Sequence, residues 1–206
     1  MNWRLKLKIL LTLNRRIRDT KGTAAPVTWK GFVQQYLFGN NKTAYWPVHT
    51  SSTVTGTQYI VTGIGTAPGL AHGCYIFADK DSPVFIGDYT IIAPNTGIAA
   101  YNHNMYDYRK YDTSGPLTIG NYCWLGMNSV ILPGVKLGDH IIVAAGSVVT
   151  KSFPEGYVVI GGNPARILKE IDKAHCNEYK NNKEYIGYLT AEEFQQNRIS
   201  LINSAL

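Results

Sequence analysis

In residues 119–150 an aliphatic side chain returns at every sixth position: Ile119, Leu125, Ile131, Leu137, Val143 and Val149. Helices repeat a buried stripe at about 3.6 residues and strands at about 2, so this period belongs to neither. A period of six marks a repeat architecture, the coil of a parallel β-helix. Each unit supplies one short flat face and a turn, and three units close a triangular coil of about 18 residues. The same spacing appears upstream at Val48, Val54 and Ile60, at Ile64, Leu70 and Ile76, and at Ile86, Ile92 and Ile98. Strand alternation points the residue two before each aliphatic inward as well. Slim residues occupy that place in Cys123, Ser129, Val135 and Ser147. Glycine or alanine follows the aliphatic residue (Gly87, Ala93, Gly120, Gly126, Gly138, Ala144), and then come Asp88, Asn121 and Asp139. These last three are expected to take the left-handed conformation of tight turns.

The pattern divides the chain. Residues 1–45 read as a helical arm, with Leu5, Ile9, Leu10 and Leu13 on one stripe and a second helical piece, "TWKGFVQQYLFG", stopped by glycine. Residues 46–169 carry the β-helix, whose all-β core has short helical segments at either end. Residues 170–206 return to helical composition, with Thr190 before Ala-Glu-Glu as a capping box. Ile98 and Ile119 are not separated by a multiple of six, and the intervening loop, 99–117, is polar and aromatic, with Tyr101, Tyr106, Tyr108 and Tyr111. A long excursion from a rigid prism is where chemistry is expected.

Charge changes the picture at one end. Of the formal +6, residues 1–42 hold nine Lys/Arg against one acidic residue, and the remainder holds eleven against thirteen. The basic character belongs to the arm, which argues against a nucleic-acid-binding body. It permits a weak attraction of the arm to anionic membrane lipids. The plainer reading is a solvated helix whose leucines pack on the body. No apolar run reaches the roughly 18 residues of a membrane span, and the N-terminal stretch lacks the marks of a signal peptide. Cys74, Cys123 and Cys176 are odd in number and form no CxxC pair, which argues against a disulfide framework and a zinc site. The expected location is the cytoplasm, peripheral to the inner membrane if the arm binds lipid.

The segments "IGNYCWLGMNSVILPGVKLGDHIIVAAGSVVTKSFPEGYVVIGGNPARILK" and "GIGTAPGLAHGCYIF…IGDYTIIAPN" resemble the left-handed parallel β-helix acetyltransferases, the hexapeptide-repeat family. Within it they look closest to the saccharide O-acetyltransferases of bacterial surface polysaccharide pathways. The resemblance implies a homotrimer that moves acetyl from acetyl-CoA to a saccharide or saccharide-linked hydroxyl, without metal or acyl-enzyme. His103, at the base of the long loop, matches the family's general base, a role suited to an imidazole that titrates near neutrality. Trp124 must point outward beside the inward Leu125. It is either trimer packing or a ligand wall, and the resemblance favours a wall of the acetyl-CoA and acceptor pocket. Met127, Ala145 and, in this register, Asn163 stack in one column of small outward residues, where the family lays pantetheine between chains. The resemblance adds Thr150 to that groove and Lys151 and Arg166 near the nucleotide phosphates, although both cations also suit plain solvation. For the acceptor, Tyr101, Asn102 and Asp79 are the candidates, with Asp81 beside the last. Met127 departs from a position that is often small and polar in the family.

Competing readings have less behind them. "GIGTAPGLAHG" lacks the Gly-Lys-Ser/Thr of a phosphate loop. Cys123 alternates inward and cannot be a nucleophile. His140, in "LGDH", reads as an exposed turn residue. A γ-class carbonic anhydrase would need several converging histidines where the loop has His103 alone. An amino-sugar N-acetyltransferase, a serine acetyltransferase and a catalytically silent scaffold remain the alternatives.

Overall fold

The structure, a computed structural model, describes residues 3–39 and 41–201. Its centre is a three-sided parallel β-helix. One face stacks Thr53–Thr55, Tyr75–Phe77, Gly97–Ala99, Val130–Ile131 and Val148–Val149. The second stacks Ile60–Thr62, Val84–Ile86, Leu117–Ile119 and Lys136–Leu137. The third stacks Ile91–Ile92, Trp124–Leu125, Ile142–Val143 and Val158–Gly162, and Ala165–Glu170 folds back antiparallel on its end. Each coil hydrogen-bonds to the next, so the backbone is satisfied along the prism axis.

The period of six from Ile119 to Val149 is the true register. Ile119 and Leu137 meet on the second face, Leu125 and Val143 on the third, Ile131 and Val149 on the first. All are buried, as are Cys123, Ser129, Val135 and Ser147. Upstream the phase differs from the expected one. Val54 pairs with Ile76 and Ile76 with Ile98, but Ile60 pairs with Val84 and Thr62 with Ile86. Thr62 therefore holds the inward aliphatic position, and Ile60 fills the slim one before it. Ile64 and Leu70 are only half-buried. Aliphatic spacing misses this because a threonine can point inward when its hydroxyl is bonded. Thr62 Oγ1 donates to the Thr66 carbonyl at 3.1 Å, and Thr66 Oγ1 to that of Gly87 at 2.8 Å. The lower register also shifts: Val143 pairs with Ile160, 17 residues on. Gly162, and not Asn163, thus continues the column of Ala145.

The corner between the second and third faces corrects two further expectations. Asp88, Asn121 and Asp139 are not left-handed. Their Oδ1 atoms accept the N–H groups of Ile64, Asp88 and Asn121 at 2.7, 2.8 and 2.7 Å, lacing each coil to the next. The left-handed place is one residue later, at Tyr89, Tyr122, His140 and Tyr157, each at φ 53°. Their rings stack in a column, with centroids 5.3, 5.1 and 4.9 Å apart. His140 is therefore buried, not exposed. Glycines precede this ladder of Asp and Asn side chains for steric reasons. A Cβ on Gly138 would lie 2.3 Å from the Pro154 carbonyl oxygen.

The chain's two ends close the upper end of the prism. Helices α1 (Trp3–Leu11), α2 (Leu13–Thr20) and α3 (Trp29–Tyr36) bring Leu5, Ile9, Leu13 and Phe32 into the core. Leu10, placed on the same stripe by its spacing, is turned outward and 42% exposed. Tyr45 Oη accepts the Thr62 N–H at 3.1 Å, protecting the edge of the first coil. The buried Gln35 amide bonds the carbonyls of Ala44 and Trp46.

Between Glu170 and Tyr185 the chain is helical only in a 3₁₀ turn, Lys173–His175, where composition suggested a helix. The rest is an extended strap that climbs the aromatic corner. Tyr122 Oη donates to the Tyr179 carbonyl at 3.0 Å, and the Asn181 N–H donates to Tyr89 Oη at 3.2 Å. A hairpin of Tyr185–Ile186 and Leu189–Thr190 follows. Gly187 sits there at φ 60°, where a Cβ would meet Trp46 at 2.5 Å. Only then comes α4 (Ala191–Leu201), with the expected box: Thr190 Oγ1 accepts the Glu193 N–H, and Glu193 Oε2 accepts that of Thr190. Residues 202–206 of the expected C-terminal segment lie outside the described residues.

Candidate active site

The excursion after Ile98 folds into an antiparallel hairpin, Tyr101–His103 against Tyr111–Thr113. Its turn is held by Asn104. The Asn104 Oδ1 accepts the N–H groups of Tyr106 and Asp107, each at 2.9 Å, and its amide donates to Asp112 Oδ1 at 2.9 Å. An ion pair between Asp107 and Arg109 at 2.9 Å stiffens the tip. The guanidinium lowers the Asp107 carboxyl below the usual range.

This organised turn places the Tyr108 carbonyl 2.7 Å from His103 Nδ1. A carbonyl only accepts, so in the neutral ring Nδ1 carries the proton and Nε2 holds the lone pair. His103 lines a concave site of about 340 Å³ with Phe77, Ala99, Tyr101, Asn102 and Tyr111. Phe77 and Ala99 are neighbours across two coils of the first face. The hairpin therefore rises from that face and encloses space against it. The geometry offers an imidazole oriented through Nδ1 at the wall of a half-aromatic pocket, an arrangement able to deprotonate a bound hydroxyl through Nε2.

The structure brings three of the sequence-derived candidates, Tyr101, Asn102 and His103, into one pocket. Asp79 stands apart from that lining. Its Oδ1 accepts the N–H groups of Asp81 and Ser82 at 3.0 and 2.7 Å, so it organises the turn after the second coil. Phe77, Ala99 and Tyr111 were not singled out as pocket walls. Phe77 carried a signal: it directly precedes the break in the hexapeptide phase at an outward position.

The remaining candidates lie elsewhere on the prism. Trp124 is 51% exposed on the third face, between Ile91 and Ile142. Met127 and Ala145 are exposed at the corner leading to the first face, and the Gly146 N–H donates to the Met127 carbonyl at 2.8 Å. Arg166 lies in the terminal hairpin opposite Gly161, its guanidinium donating to the Ala165 carbonyl. Thr150 and Lys151 are exposed across the first face from this corner, with Lys151 Nζ 5.5 Å from the Phe153 ring centre. The described chain therefore carries its histidine pocket and its tryptophan on different sides. Cys123 points into the prism, and burial pushes its thiol up to about 11, so it is no nucleophile.

Residues 116–151 match the bacterial transferase hexapeptide (six repeats) family. The galactoside O-acetyltransferase of Escherichia coli (strain K12) is 43% identical over 102 residues, covering 48% of this chain and 50% of that protein. The galactoside O-acetyltransferase of Lactococcus lactis is 31% identical over 107 residues, with 50% and 51% covered. The chain thus spans about half the length of the curated relatives it matches. Among solved structures, a maltose O-acetyltransferase from Clostridium difficile 630 superposes with a TM-score of 0.56 at 24% identity, over 82% of this chain and 89% of that one. This likeness and the repeat match identify the prism as a left-handed parallel β-helix.

Proposed function

We propose that this chain, which shares the hexapeptide repeat and the left-handed β-helix of those acetyltransferases, is an acetyl-CoA-dependent O-acetyltransferase acting on a saccharide or saccharide-linked acceptor. The observation that carries the reading is His103, with Nδ1 tied to the Tyr108 carbonyl and its other nitrogen available in the pocket. The relatives named for galactoside and maltose O-acetylation support a sugar hydroxyl as the acceptor.

In this mechanism Nε2 takes the acceptor's hydroxyl proton as its oxygen attacks the thioester carbonyl carbon. The C–S bond of the tetrahedral intermediate breaks, and the imidazolium returns the proton to the leaving thiolate. Asn102 and Tyr101 orient the acceptor, and Asp79 holds the turn beside them. Trp124, Met127, Ala145 and Arg166 form one wall for acetyl-CoA, and Thr150 and Lys151 the facing one. These two sets lie on opposite sides of the first face, so a groove that uses both needs two chains. A homotrimer with a closed three-fold arrangement meets that need.

Replacing His103 by Ala should lower turnover by roughly 10²–10⁴-fold while acetyl-CoA binding persists. Thiol release from acetyl-CoA across a panel of sugars reads the rate, and calorimetry reads the binding. Near-native turnover in the variant would overturn the mechanism. The stability of the product to hydroxylamine separates O-acetylation from the amino-sugar N-acetylation alternative.

The location belongs to the same proposal. Cys74, Cys123 and Cys176 are free thiols, which suits a cytoplasmic protein. No helix of the described residues is long and apolar enough to cross a membrane. A peripheral contact is supported by α1, whose outward side exposes Trp3, Leu7, Leu10 and Leu11 next to Arg4. That pairing of apolar and basic residues suits an anionic bilayer surface.

A further inference from the structure

Four aromatic rings run in sequence from the first face to the candidate base. Tyr75 and Phe77 lie 6.4 Å apart, Phe77 and Tyr101 6.5 Å, and Tyr101 and Tyr111 5.1 Å, and the His103 ring is 4.7 Å beyond Tyr111. Tyr75 is 54% exposed and Tyr111 55%. Beside them in the next coil stand two small residues: Gly97 pairs with Tyr75 and Ala99 with Phe77. Packing does not demand a glycine at 97. A Cβ there would make ordinary contact with Val130 at 3.5 Å, and its φ is not left-handed. Beside this small pair Tyr75 is exposed and Phe77 half-buried, along a strip that ends at His103.

We infer that this strip is a binding platform for a chain of sugar rings, so that the acceptor is an oligosaccharide or polymer segment and not a free monosaccharide. The inference rests on the saccharide O-acetyltransferase reading and deepens it. A pyranose has an apolar C–H face that lies flat on an aromatic ring, while its hydroxyls point sideways to solvent or to polar groups. The successive rings lie 6.4, 6.5 and 5.1 Å apart and are tilted by 46°, 49° and 77° to one another, so each offers its face to a different sugar of a twisted chain. The pocket around Tyr101, Asn102, His103 and Tyr111 takes the sugar to be acetylated, with Asn102 as a polar anchor. Phe77 and then Tyr75 take the sugars that precede it. Aromatic rings supply large contact areas with few rotatable bonds, which is how a shallow surface gains affinity without deep enclosure.

The test uses the full chain and two acceptor series, glucose-based and galactose-based, each running from the monosaccharide to the tetrasaccharide. In the accepted series kcat/KM should rise by about tenfold or more between mono- and trisaccharide. Tyr75→Ala should remove most of that rise. Gly97→Val, which adds bulk beside Tyr75 where the backbone permits it, should do the same. Sedimentation should show both variants assembled as the unaltered protein is. Calorimetric titration with the same oligosaccharides, without acetyl-CoA, should show the same length dependence in binding. Equal kcat/KM and equal affinity for short and long acceptors would overturn the platform while leaving O-acetylation intact. Loss of assembly in Tyr75→Ala, with the length dependence unchanged in Gly97→Val, would assign the strip to subunit packing instead. Acetylation of amines alone, with no sugar bound at any length, would overturn the underlying reading as well.

Discussion

Removing the Arg16 side chain should cost more stability than any change to the arm's other basic residues. Arg16 is 2% exposed, and its guanidinium donates to Thr12 Oγ1 at 2.9 Å, to the Tyr188 carbonyl, and to both carboxylate oxygens of Glu193 at 2.9 and 3.2 Å. It joins α2 to the closing hairpin and to α4. In Arg16→Ala the Tyr188 carbonyl loses this donor, while Glu193 keeps Lys8 at 2.9 Å and the Thr190 N–H. Breaking a buried pair on one side costs about 3–5 kcal/mol, a large part of the roughly 5–15 kcal/mol of a folded domain. Burial tends to raise the Glu193 carboxyl, but hydrogen bonds from Arg16, Lys8 and Thr190 outweigh it and hold the group at about 2. That depression is worth at most about 3 kcal/mol. Because the Lys8 side chain is 55% exposed, solvent screening leaves about 2 kcal/mol. The folded value lies below the unfolded one, so this contribution is complete above about pH 4.5 and fades as the pH falls toward 2. Urea unfolding of the native chain and of Arg16→Ala should therefore differ by about 3–5 kcal/mol at pH 7, and by less near pH 3. Arg16→Lys, which keeps the charge but not the fork, should fall between them. A difference below about 1 kcal/mol at neutral pH, as for an exposed ion pair, would refute the reasoning. So would a gap that does not narrow with acid.

The cysteines and the arm give two further tests. Burial raises the Cys74 and Cys123 thiols, the second to about 11, so at pH 8 an aromatic disulfide reagent should label Cys176 promptly and the other two only in denaturant; prompt labelling of Cys123 would contradict its inward placement. Leu7→Ser with Leu11→Ser should reduce co-sedimentation with anionic liposomes at low salt, and Arg15→Gln with Arg18→Gln should weaken it further by about 1 kcal/mol per residue, with acetylation of a soluble acceptor unchanged. Absence of liposome binding at low salt would limit the arm to packing on the prism.

The division between sequence and tertiary structure follows from how each residue makes its contacts. A coil whose inward residues are aliphatic announces itself, because Ile119 to Val149 must recur at the same angle of the prism in every turn. The capping box at Thr190 was equally legible, since its partners lie three residues apart. His103 could be singled out because it sits where the period breaks. Three things depended on contacts between distant residues. Thr62 points inward because the Thr66 carbonyl is there to accept its hydroxyl, a fact invisible to hydropathy. His140 is buried because Tyr122 and Tyr157, 18 and 17 residues away, stack on both faces of its ring. The extended strap after Glu170 forms because Tyr89 and Tyr122 offer it hydroxyl partners along the corner. The pocket itself is of this second kind. Phe77 and Ala99 meet Tyr101 and Tyr111 only because a coil stacks on its neighbour and a hairpin folds back against both. Sequence periodicity specifies the prism, whose contacts repeat; the site is made of contacts that occur once.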